Sequence, residues 1–160
     1  MHVVLVQINQ KWESKEENFS KYEVFLNSID NSHLIVLPEM FHTGFSMNVD
    51  HLAEEMNDSL GLSWLREWAA KKNAAFYTSL IIKDGKHFYN RGVFVFPSGE
   101  VECYDKRKSF GMADEPLFFT AGKQAKIIEY LGWKINLQIC YDLRFPLISL
   151  NSIGVDDAPN

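Results

Sequence analysis

Apolar residues along this chain gather into short, β-branched runs that alternate with stretches of helical period. Residues 1–8 (MHVVLVQI) and 33–37 (HLIVL) are strand-sized and largely apolar, the pattern of buried strands. Between them Phe19, Tyr22, Leu26 and Ile29 recur at helical spacing, which predicts an amphipathic helix ending near Asn31. The string Ser14-Lys15-Glu16-Glu17 in front of it reads as a capping box, the serine accepting from the third helical N–H while Glu17 reaches back. Strand, helix and strand in so few residues predict a βαβ unit with parallel strands.

A second helix is predicted over residues 57–73, with Leu62, Leu65 and Ala69 inward and Lys71-Lys72 complementing its C-terminal dipole. Residues 75–82 and 88–96 then form a hairpin, with Asp84-Gly85 supplying the turn chemistry. A short strand over 101–104 follows a Pro-Ser-Gly-Glu turn, and 125–130 and 133–139 make a further pair broken by Gly132. The fold class is α/β with a mixed sheet. A domain over 1–150 is expected, followed by a tail, 151–160 (NSIGVDDAPN), with no periodicity. A strand-rich pattern that stops there predicts an incomplete fold with uncovered strand edges.

Composition narrows the class of partner. At 46% hydrophobic and 14% aromatic over 160 residues, the chain has ample apolar material for one core and lies far from disordered composition. The net charge of −5 is interspersed, which points away from nucleic acid and anionic membrane as partners and fits a small-molecule enzyme. The start lacks the early positive charge and apolar stretch of a signal peptide, and the apolar runs are too short to span a bilayer. Two cysteines, Cys103 and Cys140, suit a reducing, cytoplasmic setting.

In open α/β sheets reacting groups collect beyond the carboxyl ends of parallel strands. Glu39, Lys106 and Cys140 each follow a predicted strand. Glu39, after an apolar strand and Pro38, is placed for partial desolvation and general-base work, or is an exposed strand-end carboxylate. Lys106 is either part of a solvated basic loop or a point charge aimed at an oxyanion and held by the neighbouring Asp105. Cys140 is either a small buried residue closing a strand or a thiol displayed at a strand-to-helix turn. In the second case a helix N-terminus lowers its pKa and the Tyr141 N–H points at a developing oxyanion. Cys103, inside a short strand, is expected to be structural.

The strings LPEMFHTGF around Glu39, YDKRKSF around Lys106 and QICYDLRFP around Cys140 resemble, in order and spacing, the three signature regions of the nitrilase (carbon-nitrogen hydrolase) superfamily. PEMFHTGFSMN with KSFGMADEPLFFTAG is most similar to the ω-amidase-type branch. The resemblance covers residues 1 to about 150 and implies the N-terminal portion of an α-β-β-α sandwich, assembled as a homodimer or higher homo-oligomer. It implies Glu39 as base, Lys106 as oxyanion stabiliser and Cys140 as nucleophile, with Glu115 in the place of a second glutamate near the site. The activity implied is hydrolysis, through a cysteine thioester, of the terminal amide of a small dicarboxylic or 2-oxo acid monoamide, with no metal or organic cofactor. Family members continue well past the cysteine motif, so this chain is expected to be truncated. The second reading is a catalytically inactive remnant that serves as a binding or interaction module. Caspase-like and papain-like arrangements fit less well: position 139 is isoleucine and no histidine follows Cys140. His42 is read as a pocket-wall or structural residue.

Overall fold

A computed structural model of the chain describes residues 1–149; the expected tail, 151–160, lies outside the described residues. The two β-branched runs form β1 (Val3–Leu5) and β2 (Leu34–Val36), joined by α1 (Lys15–Asn27). After a single helical turn, α2 (Val49–Leu52), comes α3 (Leu60–Lys72), and then the long hairpin β3 (Ala75–Asp84) and β4 (His87–Val95). The strand β5 (Val101–Asp105) completes a five-stranded sheet ordered β1-β2-β3-β4-β5. The first three strands run parallel and the last three antiparallel, so the sheet is mixed, as the pattern predicted. A short helix α4 (Glu115–Phe118), a separate antiparallel hairpin of β6 (Ile127–Tyr130) and β7 (Trp133–Asn136), and the turn α5 (Pro146–Ser149) come after it.

Side chains alternate across the sheet and feed two cores. On one face Ile35, Phe76 and Val95 stand in register and pack against Tyr22 and Leu26 of α1 and Leu62, Leu65 and Trp68 of α3. On the other, Leu34, Ala75, Phe94 and Tyr104 meet Ile128 of the second hairpin, with Leu137 and Ile139 beyond it. Helices, sheet and second sheet thus make three successive layers. The hairpin does not reach β1, where Val3 and Leu5 share the face of Leu34 and Val36 and remain 41% and 76% exposed. Chain reversal at the tip of the hairpin puts Leu131 and Gly132 both at positive φ, 49° and 76°, which suits the strand twist of a two-residue turn.

Local details depart from expectation in three places. Ser14 sits at the N-cap of α1 but makes no capping bond; its hydroxyl donates to Glu17 Oε1 at 3.2 Å instead. Asn18 holds the entry loop, accepting from the Lys11 N–H and donating to the Lys11 and His42 carbonyls. The second helix starts later than predicted, because the Ser59 hydroxyl accepts from the Leu62 N–H and caps it there. The strand expected over 133–139 ends at Asn136; one further backbone bond, from the Leu137 N–H to the Lys126 carbonyl at 2.9 Å, follows before the chain runs on to Cys140.

Below α3 lies a buried ionic cluster. Glu54 accepts from Lys15 Nζ at 2.7 Å, His42 Nε2 at 3.0 Å, Ser59 Oγ at 2.6 Å and the Gly61 N–H at 3.1 Å. His42, fully buried and stacked on Phe41, is a core residue; burial holds its pKa below the ordinary histidine range despite Glu54. In return, the hydrogen bond and charge of His42, followed by the hydrogen bonds of Lys15 and Ser59, hold the Glu54 carboxylate ionised. Burial alone would raise the Glu54 carboxyl, yet these donors bring it from 4.5 to about 2. A carboxyl depressed on folding adds stability above its unfolded value that disappears as pH falls through the folded one. Chemical denaturation should show native protein more stable than Glu54→Gln by on the order of 2 kcal/mol at neutral pH, the gap closing as pH drops from about 4.5 to about 2.

Candidate active site

Beyond the carboxyl end of β2 the chain turns sharply, and the turn is fastened to β3. The Thr78 hydroxyl donates to the Pro38 carbonyl at 2.6 Å, and the Met40 N–H, on a residue at φ 49°, donates to Ser79 Oγ at 2.9 Å. Glu39 lies between these two anchors. Lys106 leaves the end of β5 and is 3% exposed. Its backbone N–H donates to the Asn90 carbonyl on β4, and its own carbonyl accepts from Gly122. That second contact requires glycine, since a Cβ at position 122 would sit 2.0 Å from the Asp105 carbonyl oxygen.

Three elements meet at the lysine ammonium. Lys106 Nζ donates to Glu39 Oε1 at 2.7 Å and to both oxygens of Glu115 at 3.0 Å. Glu115, at the start of α4, is fully buried and also accepts from the Phe110 N–H. Burial works against the ammonium, but the two carboxylates overcome it and hold the Lys106 pKa above the ordinary lysine range. Asp105 plays no part here: its carboxylate pairs with Arg91, at 2.7 Å from Nε and 3.0 Å from Nη2. The lysine is thus held by Glu39 and Glu115, 67 and 9 residues away, rather than by its neighbour in sequence.

Cys140 faces this cluster. Cys140 is an exposed residue of this chain, yet partial desolvation of its thiol against the cluster, and then the charge and hydrogen bond of Glu39, push it up to about 11, with Lys106 pulling the other way. The expectation of a pKa lowered by a helix N-terminus fails. Cys140 itself sits in the left-handed region at φ 45°, and the chain continues from it only as a 3-10 turn over Cys140–Arg144. Pro146 explains the short turn, since the residue before a proline is driven out of the α region; Phe145 has φ −109° and ψ 98°. The strained elbow at Cys140 is pinned by Asp142, which is fully buried. Its carboxylate accepts from Tyr104 Oη at 2.7 Å, the Ile139 N–H at 3.0 Å and the Lys108 N–H at 2.8 Å. One side chain therefore ties the cysteine turn to the loop that carries Lys106. Tyr141, next in the chain, lays its ring edge-on against Phe110 and Phe145, at 5.1 and 5.3 Å between centroids.

Glu39, Lys106, Glu115 and Cys140 therefore share one locus, reached from four separate parts of the chain. This locus, on this fold, can be compared with known proteins. The sequence profile of the carbon-nitrogen hydrolases matches residues 2–158. The chain belongs to the carbon-nitrogen hydrolase family. It is similar to omega-amidase YafV of Yersinia enterocolitica, with 37% identity over 156 residues, covering 98% of this chain and 60% of the relative. It is also similar to 2-oxoglutaramate amidase of Bacillus subtilis, with 32% identity over 146 residues, covering 88% of this chain and 56% of that one. Among solved structures, XC1258 from Xanthomonas campestris, a CN-hydrolase superfamily protein with an arsenic adduct in its active site, superposes with a TM-score of 0.87. It is 37% identical, and the match covers 92% of this chain and 57% of that one. The chain spans about three fifths of the length of the curated relatives it matches.

Within this carbon-nitrogen hydrolase locus, Asn90 and Asp142 were not singled out in the sequence. Asn90 is a buried amide in the otherwise apolar or aromatic inward pattern of HFYNRGVFV, and that break is the signal that could have marked it. Among the described residues, no group of three or more His, Cys, Asp and Glu side chains is placed to hold a metal ion. Cys103 lies on β5, partly buried against the helix-side core and bordering a groove of about 610 Å³ with His87, Tyr89 and Lys123. Removing the Asp142 clamp should leave three donors unpaired. Asp142→Ala is expected to lose at least about 2 kcal/mol of unfolding free energy in denaturant titration, against about 1 kcal/mol for Tyr104→Phe.

Proposed function

We propose that this chain carries the reacting groups of an amidase. In this reading it hydrolyses the terminal amide of a small dicarboxylic or 2-oxo acid monoamide to the acid and ammonia through a thioester on Cys140. The observation that supports the reading most strongly is the buried Lys106 bridged between Glu39 and Glu115, with Glu39 also at the Cys140 thiol. The relatives named as omega-amidase and 2-oxoglutaramate amidase support the substrate class.

A thiol that titrates near 11 is protonated at neutral pH, so no standing thiolate awaits the substrate. Attack on the amide carbon must be coupled to proton transfer from Cys140 sulfur to Glu39. The C–O π electrons move to oxygen, and the charge there is met by the Lys106 ammonium and by the Tyr141 backbone N–H. Collapse of the tetrahedral species breaks the C–N bond. Glu39 returns its proton to the departing nitrogen, and ammonia leaves. Glu39, ionised again, takes a proton from water as the hydroxide adds to the thioester, and the second collapse restores the thiol and releases the acid. One carboxylate carries the proton in both halves. Glu115, fully buried against Lys106, keeps the ammonium charged and aimed while Glu39 is neutral. The enzyme is read as cytoplasmic and as a homodimer or higher homo-oligomer in keeping with the family resemblance. Among the described residues no helix is long and apolar enough to cross a membrane.

The test is ammonia release from 2-oxoglutaramate, 2-oxosuccinamate and succinamate, with mass spectrometry of quenched protein to trap the acyl group on Cys140. Acylation at Cys140 and ammonia in equal amounts are expected in the first turnover, both abolished by Cys140→Ala. Lys106→Met should slow acylation by about 100-fold or more, the usual loss for one oxyanion donor. Neither ammonia nor an adduct from any of these amides would overturn the amidase reading and leave a binding module in its place.

A further inference from the structure

We propose that Asn90 is a positioning residue for the chemistry at Cys140, its side-chain amide holding Glu39 and Glu115 in fixed relation around Lys106 so that Glu39 stays turned to the thiol. A role in catalysis rests on the amidase reading; the placement of Asn90 does not. Asn90 lies on β4 and is 2% exposed. Its Nδ2 donates to Glu39 Oε1 at 2.7 Å and to Glu115 Oε1 at 3.0 Å. Those are the same two oxygens that Lys106 Nζ touches, at 2.7 and 3.0 Å. Amide nitrogen, ammonium and two carboxylate oxygens therefore form a closed ring, in which each oxygen receives one N–H from asparagine and one from lysine. The backbone of Asn90 completes the hold, its carbonyl accepting from the Lys106 N–H at 3.0 Å.

Two features set this apart from ordinary packing. First, the orientation of the amide is forced. Carboxylates only accept, so Nδ2 must face them, and turning the amide over would set Oδ1 against two anionic oxygens. Second, the amide keeps this orientation although its Oδ1 is buried with no hydrogen-bond partner among the described residues. An unpaired buried acceptor destabilises a fold, so an apolar side chain would serve packing better at this position. What asparagine adds is a pair of donors without charge. With one ammonium and two carboxylates the ring carries a net charge of −1. An aspartate at position 90 would add a third anion, and an alanine would release both carboxylates from β4. Both donors fall on Glu39 Oε1, so neither Asn90 nor Lys106 occupies Oε2, the oxygen that can take the thiol proton.

The experiment measures the pH dependence of Cys140 alkylation by iodoacetamide on the native full chain, with Cys103 read in the same samples by peptide mass spectrometry. No turnover is required, so a failed amidase assay leaves this test intact. The groups that face the thiol are Glu39, Lys106 and Glu115. Asn90→Asp should move the Cys140 titration up by at least one pKa unit, or about tenfold less thiolate at a given pH below it. Asn90→Ala should move it the other way, because Glu39, left with Lys106 as its side-chain partner, is no longer held turned to the thiol and opposes its ionisation less. Cys103, on the far side of the Arg91–Asp105 pair, should keep its profile in both variants. If Asn90→Asp does not fold, the downward shift in Asn90→Ala decides alone. An unmoved Cys140 profile in Asn90→Ala, or equal shifts at both cysteines, would overturn the proposal and leave Asn90 as a packing residue.

Discussion

An ammonium taken fully out of water costs several kcal/mol unless anions replace the lost hydration, and Lys106 is 3% exposed. Its compensation comes from Glu39, beyond β2, and Glu115, at the start of α4, both within 3.0 Å of Nζ. That requirement fixes three segments that secondary structure alone would leave loose. The turn after β2 must present a carboxylate inward, the chain after β5 must pass Gly122 closely enough to bring the lysine in, and the loop before α4 must fold back to bury Glu115. Breaking any one arm leaves a buried charge uncompensated.

The cysteine side is held by a different device. Asp142 satisfies three donors, one from β5 and one from each of two loops, and the left-handed φ of Cys140 is strain that this clamp offsets. The sulfur is then set against a carboxylate instead of a helix N-terminus. The physical consequence is a thiol held up to about 11, protonated at neutral pH. In the amidase mechanism proposed for this site, proton transfer and carbon–sulfur bond formation would be joined, and the same carboxylate would carry the proton that ammonia needs on leaving.

The strands, α3 and the mixed sheet were legible because period and β-branching act locally. Val3–Leu5 and Leu34–Val36 lie inside the apolar runs, and Leu62, Leu65 and Ala69 face the core as their spacing predicts. The meeting of Glu39, Lys106 and Cys140 was suggested by their positions after strands and by the resemblance around them. The groups that hold them were not. Asn90 acts on residues 51 and 25 positions away, and Asp142 on Tyr104, 38 away, so neither contact leaves a local pattern. The capping box at Ser14 failed because Glu17 took up the serine hydroxyl directly. The helix expected at Cys140 failed because Pro146 acts on its predecessor's backbone, a restriction that overrides the dipole argument.

The whole site depends on the coupling of Lys106 to its buried carboxylates, and a double-mutant cycle on unfolding free energy measures it most directly. Lys106→Met alone should cost about 3–5 kcal/mol, because it strands two buried carboxylates. Lys106→Met combined with Glu115→Gln should recover at least about 1.5 kcal/mol relative to the sum of the two single losses. Additive losses, with no coupling beyond about 0.5 kcal/mol, would show that the lysine and Glu115 do not depend on one another. The ammonium bridge would then not be the constraint that organises this site.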